Sequence, residues 1–366
     1  MTFILMPYQR YKEHVPMEKQ TSWKKILVEM ILFPLLVIFM AYLVFKDCDF
    51  KSMNRSIAGS DPVFLIIAII CICFFVVCES INITRVLKAM GYDIKKRDML
   101  KYGAAGFFFS GITPSASGGQ PMQLYYMSRD GINISHASLS LLIELAGWQL
   151  VNIVLALFGL FYNFKFLMSA SALIKWILGI GLLADTVILV IILAIIFDQN
   201  AATRVEKIAA WSMRKFHKGK YMLKIRDQIR EYKSGAVYIK ENPKLIAKNL
   251  LTAFAQLMVM YSITYFVYLA LGCSGHGWVE ICSLQAVLSA GIAVIPIPGT
   301  VGANEGVFKR LFAPIFGAGL VMPAMLLSRG ISFYLCLAAT GVYLLIAFFI
   351  DKAAEASKRK ASAVSN

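Results

Sequence analysis

The sequence predicts an all-α integral membrane protein of about six full transmembrane helices plus two re-entrant helical hairpins in inverted orientation. Three observations carry that expectation. Of 366 residues, 58% are hydrophobic and only 16% charged, with a mean hydropathy of +0.67, far more apolar material than a soluble domain of this length needs. Apolar runs of bilayer length recur along the chain, and Lys and Arg are distributed unevenly between the segments that join them. The formal charge of +16 therefore belongs to loops, not to a nucleic-acid-binding surface.

A hydrocarbon core of about 30 Å takes about 20 apolar residues as a helix. Six runs meet that length: Trp23 to Phe45, Pro62 to Ile83, Ala137 to Phe161, Leu173 to Phe197, Leu245 to Leu271 and Val321 to Ile350. Lys24 and Lys25 precede the first, which shows no small-residue cleavage pattern and reads as a retained helix. Two further apolar segments, 102–130 and 279–317, are interrupted by Pro and Gly at 111–121 and 296–306. Broken backbone at membrane depth is tolerated only where protein or a water-filled cavity satisfies its polar groups, so each reads as a hairpin of two half-helices.

The chain is thus expected to form one membrane domain, 1–366. Its first half, 22–197, carries the hairpin 102–130, and its second half, 245–350, carries the hairpin 279–317. Between them, 198–248 is a basic segment in which Ile225, Ile229, Tyr232, Ala236 and Ile239 form an apolar stripe among lysines and arginines. That pattern suits a helix lying on anionic lipid headgroups, and equally a solvated linker that fixes topology. A basic tail, 351–366, closes the chain.

Segments 1–25, 84–101, 198–248 and 351–366 carry 28 of the 37 Lys and Arg residues. The positive-inside rule places them, and both termini, in the cytoplasm of a multi-pass protein. Six full spans satisfy this alternation only if each broken segment returns to the side it entered from, the first from the cytoplasm and the second from outside. The two breaks also align, with Pro114 over Pro298 and Gly118 over Gly302. Similar broken elements in opposite orientation mark inverted-repeat transporters.

The seven cysteines and four histidines form neither a CxxC pair nor a zinc-spaced cluster, so no metal, cofactor or disulfide framework is expected. Ionisable groups inside spans cost several kcal/mol and need a partner or a function. Glu79 has Arg85 nearby in sequence, and Asp185 is explained by the outer end of its helix. Glu144, within the third span, is harder to explain. Glu305 follows the second break, and Arg329 lies in the last span. The last two could neutralise each other, or Arg329 could hold a lipid phosphate while Glu305 orients it or meets a cationic headgroup. The half-helix N-termini after Gly118, Gly119 and Gly302 add a positive dipole end that favours an anion.

The run Thr113-Pro-Ser-Ala-Ser-Gly-Gly-Gln-Pro-Met-Gln-Leu-Tyr-Tyr, then Arg129-Asp-Gly and Glu144, then Pro298-Gly-Thr-Val-Gly-Ala-Asn-Glu-Gly and Leu327-Ser-Arg329, resembles the lysylphosphatidylglycerol synthetase transmembrane, or flippase-like, family over nearly the whole chain. The resemblance implies a bacterial inner-membrane protein that moves an aminoacylated or other phospholipid between leaflets, often linked to resistance against cationic antimicrobial peptides. Full-length synthetases add a soluble aminoacyl-transferase domain. This sequence ends sixteen residues after Ile350, so that chemistry is not expected. The candidate substrate-binding residues are Pro114, Ser115, Ser117, Gly118, Gly119, Gln120, Arg129, Glu144, Pro298, Gly299, Gly302, Asn304, Glu305 and Arg329. The expected partners are membrane phospholipids and no nucleic acid, with a homo-oligomer left open. An intramembrane transferase using Ser115, Ser117 or Glu305, and a small-solute transporter, stand as alternatives.

Overall fold

The computed structural model describes residues 57–113, 116–197, 236–237, 240–293, 295 and 297–364, with side chains through residue 353. The expected first span, Cys48, Pro114, Ser115 and most of the basic 198–248 segment lie outside the described residues. Every regular element among the described residues is helical, and the chain is an all-α membrane protein. Its elements are α1 (Pro62–Ala89), α2 (Lys96–Ile112), α3 (Gly119–Arg129), α4 (Ile134–Tyr162), α5 (Phe164–Ser169), α6 (Ala172–Phe197), α7 (Pro243–Ala270), α8 (Trp278–Ile292), α9 (Ala303–Arg329) and α10 (Cys336–Val364). Five stretches are long and apolar enough to cross a bilayer: α1, α4, α6, α7, and the run from Pro298 to Ala353.

Local chemistry starts and stops these helices. Asp61 caps α1 by accepting the Val63 N–H at 2.9 Å, with Pro62 in the first turn, and Asn133 caps α4 through the Ser135 N–H at 2.8 Å. Pro243 opens α7 in the same way as Pro62 opens α1. The α2 helix stops at Thr113 because the residue before a proline is pushed into extended backbone, here φ −111°, ψ 147°.

Helices α1 and α7 run antiparallel along their full length. The Asp61 N–H reaches the Ala270 carbonyl at 2.8 Å at one end, and Arg85 reaches the Asn249 and Thr252 side chains, each at 2.8 Å, at the other. Helix α8 packs on α4 and α6 so closely that side chains are excluded at the crossings. A Cβ on Gly181 would lie 1.9 Å from the Gly291 carbonyl oxygen, and one on Gly159 would lie 2.3 Å from that of Ser283. The largest apolar core joins α1, α7, α8 and α9, where Phe308, Phe312 and Phe316 stack along one face.

The two interrupted segments each fold back. Lys101 near the start of α2 meets Asp130 just past α3 at 2.8 Å, and the Tyr102 hydroxyl donates to the same carboxylate at 2.7 Å, so both arms open at the same end. That end also holds Asp351 of α10, 2.6 Å from Arg97. In the second segment α8 begins beside Tyr268, whose hydroxyl accepts the His276 N–H, and the chain returns to Tyr268 at Phe316, 5.4 Å ring to ring. Gly317 then takes φ 75°, open to glycine, and breaks α9 where the second hairpin was expected to end. The two folded-back pairs therefore open at opposite ends of the bundle.

Candidate functional site around the two breaks

The aligned breaks share a backbone path. Thr113 and Ile297, each before a proline, are extended at φ −111° and −116°. Three residues on, Ala116 and Thr300 adopt φ 54° and 53°, and they are the non-glycine residues with positive φ among those described. In each turn that residue's N–H donates back three positions, Ala116 to Thr113 at 3.3 Å and Thr300 to Ile297 at 2.9 Å. The paths part at the next helix entry, where Gly118 is right-handed at φ −86° and Gly302 is at φ 85°.

The second turn is clamped by charge. Arg329 donates from Nε to Glu305 Oε1 at 3.2 Å and from Nη2 to the Gly299 carbonyl, and its guanidinium lies 4.5 Å over the Phe333 ring. The other Glu305 oxygen accepts the Gly302 N–H at 2.6 Å, so the anion at this helix N-terminus is the chain's own carboxylate. Both side chains are 12% exposed. Gly299 sits against the tip of the Phe333 ring, and a Cβ there would lie 2.2 Å from its Cζ.

The first turn is held without charge. Thr113 Oγ1 accepts the Gly118 N–H at 2.8 Å and donates to the Phe109 carbonyl at 2.6 Å. Gly119 is pressed onto α2, where a Cβ would lie 2.0 Å from Ser110 Oγ and 2.7 Å from the Gly106 carbonyl. Ala116 and Ser117 face outward, Gln120 is half-buried, and Arg129 is exposed at the last turn of α3, away from Arg329. Asn304 is buried beside Glu305 in the first turn of α9.

Phe333 joins the two regions. It lies in a π-helical turn, Gly330–Leu335, with Gly299 on one side and Phe107 and Gly111 of α2 on the other. Val301 packs into the same cluster with Ala104, Ala105 and Phe108. Next to it, Tyr334 lies within electrostatic range of Glu305 and Arg329, and its buried hydroxyl has no hydrogen-bond partner. Neither residue stands out in an apolar sequence. A π turn directly after the intramembrane Arg329 is the feature that exposes them.

Two placements differ from the sequence reading. Arg85 does not serve Glu79: six positions apart, they face different neighbours, and Glu79 instead accepts from Gln123 of α3 at 3.3 Å while feeling the charge of Glu144 on α4. Glu144 therefore belongs with Glu79 and not with the Glu305–Arg329 pair. Asp185 does not lie at the end of its helix. It is buried at the middle of α6.

An apolar cleft of about 320 Å³ opens between α1, α2 and α10, lined by residues that include Ile69, Val76, Ala104, Leu335, Ala339 and Tyr343. It runs from the level of the π turn toward Tyr343, whose hydroxyl donates to the Arg97 carbonyl. Among the described residues, no group of three or more His, Cys, Asp or Glu side chains could hold a metal ion.

Comparison with known proteins agrees with this architecture. The family profile described as the lysylphosphatidylglycerol synthase TM region matches residues 26–340. A protein described as the UPF0104 membrane protein PH1989, from Pyrococcus horikoshii, is 21% identical over 300 residues, covering 78% of this chain and 88% of that one. Because the profile spans both breaks, the Glu305–Arg329 pair and the helices that carry them, the chain belongs to the lysylphosphatidylglycerol synthase transmembrane-region family.

Proposed function

We propose that this protein translocates phospholipid between the leaflets of a cell membrane, with the Glu305–Arg329 pair as its headgroup site. The observation that carries the reading is an ion pair held at two broken helices that meet through Phe333, beside a tyrosine hydroxyl with nothing to bond. A lipid headgroup that carries a phosphate and an ammonium matches this pair in charge: the phosphate competes with Glu305 for the planar fork of Arg329, and the ammonium takes Glu305 in exchange. Aminoacylated and zwitterionic phospholipids both have that pattern. The apolar cleft beside α10 suits an acyl chain, which can stay in a hydrocarbon environment while the headgroup crosses. The re-entrant disposition of the two hairpins, the cytoplasmic placement of the basic end and the attraction of that end to anionic headgroups belong to the same proposal.

Against an intramembrane transferase stands the use of Glu305. Both of its oxygens are engaged, by Gly302 N–H and by Arg329, and Ser117 faces outward, so among the described residues no nucleophile is paired with a base here.

The test is reconstitution in vesicles carrying a phospholipid labelled in one leaflet, followed by quenching of what reaches the other. Translocation above protein-free vesicles, lost in Glu305→Gln and in Arg329→Ala at unchanged insertion, is expected. Wild-type protein that is folded and moves no phosphatidylglycerol, lysylphosphatidylglycerol or phosphatidylethanolamine would refute the reading, and a new lipid species in expressing cells would favour the transferase. For orientation, an impermeant thiol reagent should label Cys273 in intact cells; labelling of Ser234→Cys from outside would reverse the assignment.

A further inference from the structure

A second buried charge lies outside this site. Asp185 stands 13 residues into α6, about 20 Å from its start at 1.5 Å per residue, and is 3% exposed. Its Oδ1 accepts from Gln149 Nε2 at 2.6 Å, and its Oδ2 is held loosely by Asn152 Nδ2 at 3.4 Å. Gln149 Nε2 also donates to the Asp185 backbone carbonyl at 2.9 Å, and because a carbonyl can only accept, this fixes which way the amide points. Asn152 Oδ1 accepts from the Tyr261 hydroxyl at 2.5 Å. Gln149 is 4% exposed and Asn152 0%.

Both amides present N–H groups to the carboxylate, so the site lacks the several oxygens that a metal cation requires. Among the described residues no cation meets it either. Tyr261 of α7 is the titratable group facing Asp185. Elsewhere on the packed elements, Glu144 lies beside Glu79, Glu280 pairs with His276, Glu305 pairs with Arg329, Lys309 and Arg310 are exposed, and Lys165, Lys175, Lys244 and Lys248 sit near helix ends. The cluster is also one hydrogen short: Gln149 Oε1, on the amide that touches the carboxylate, is buried with no donor. An ionised carboxylate with only two neutral donors is costly in hydrocarbon, whereas a carboxylic acid carries no charge.

We propose that Asp185 is a proton-binding site and that its occupancy is coupled to the second hairpin, so that lipid movement draws on a proton gradient. The coupling path runs from Asp185 through the hydrogen bonds of Asn152 and Tyr261, and on through the packing of Tyr261 with Cys282 and Ala286 of α8, the arm that leads into the Gly299 turn. A proton gained at Oδ2 removes a full charge from the middle of α6, and a proton lost restores it, so the two states favour different packing of α6 against α8. The site stands on geometry alone; its purpose rests on the translocation reading.

Two measurements test it. Infrared difference spectra of the full chain in nanodiscs, stepped through pH, should show the carbonyl stretch of a protonated carboxylic acid that is missing in Asp185→Asn and retained in Glu79→Gln. Should Asp185→Asn fail to fold, Gln149→Leu strips one bond from the carboxyl and should move the same band to higher frequency. A wild-type spectrum with no such band at any pH, a band unchanged in Asp185→Asn or in Gln149→Leu, or a response to sodium at fixed pH would overturn the site. In vesicles, a gradient of one pH unit should bias the leaflet ratio of the labelled lipid by up to about tenfold if one proton accompanies each lipid, and Asp185→Asn should abolish the bias. Translocation that ignores the gradient overturns the coupling. Absence of any translocation together with a titrating band overturns the translocation reading and the coupling, while the proton site stands.

Discussion

The turns that begin at Thr113 and Ile297 share an extended entry and a left-handed residue three positions on, and are fastened by different chemistry. In the first, a threonine hydroxyl bridges two backbone groups, and a glycine lies flat against α2. In the second, a carboxylate and a guanidinium do the fastening, with an aromatic ring behind them. A neutral clamp of this kind satisfies its own polar groups and has nothing left to exchange. An ionic clamp can trade partners with a charged ligand, and a buried pair is costly to break by removing only one member. One turn is thus fastened by neutral groups and the other by an ion pair.

The contrast can be broken most severely at Arg329. Arg329→Ala leaves Glu305 buried without its partner and should cost about 3–5 kcal/mol in a detergent melt, besides ending translocation. Glu305→Ala should destabilise comparably, and the double change should cost less than the sum of the two; strict additivity would show that the pair does not interact. At the neutral turn the expected loss is steric: Gly119→Ala drives a Cβ into Ser110 and the Gly106 carbonyl and should cost about 1–3 kcal/mol, seen as a lowered melting temperature. Thr113→Val removes the acceptor for the Gly118 N–H and should cost about 1 kcal/mol while leaving headgroup selectivity as in wild type. A change in selectivity in Thr113→Val would mean that the first turn also handles the headgroup.

The smallest effect sharpens the likeness rather than the difference. Ala116→Gly and Thr300→Gly relieve the same left-handed strain, offset by the greater chain entropy that glycine loses on folding, so each should shift stability by a few tenths of a kcal/mol in the same direction. Opposite signs would argue that the two turns are not equivalent. The meeting of the two regions has its own check. Single cysteines at Ser117 and Thr300, in a chain without the native seven, should cross-link with a short bifunctional reagent.

The helical elements were legible from the sequence because their causes are local. Run length sets the spans, and Pro114, Pro298 and the glycines around them force the breaks wherever they occur. The spans at 62–83, 137–161, 173–197 and 245–271 fall within α1, α4, α6 and α7 to a few residues, and the expected end of the second hairpin falls on Gly317. For Asp185 only its presence in a span was legible: the reading at the outer end of its helix fails, because the residue stands halfway along the run 173–197. Its three polar neighbours were not legible, because they arrive from two other helices 33 to 76 positions away in the chain.

What the tertiary structure alone decided is which ionisable groups meet. Helical phase tells which residues share a face, but not which helix that face will touch. Arg85 therefore took Asn249 and Thr252 in preference to Glu79, and Glu79 found Gln123 and Glu144. Lys101 is buried at a network of Asp98, Asp130 and Asp351, the last of them 250 positions away. Phe333 and Tyr334 gained their roles only when a π turn, invisible in an apolar run, rotated one between two hairpins and set the other beside the ion pair. Sequence determined where the backbone had to break, because local sterics and hydrophobic length act within a few residues. Packing determined which charges meet at the breaks, because the energy of a buried charge depends on the partners that distant helices bring to it.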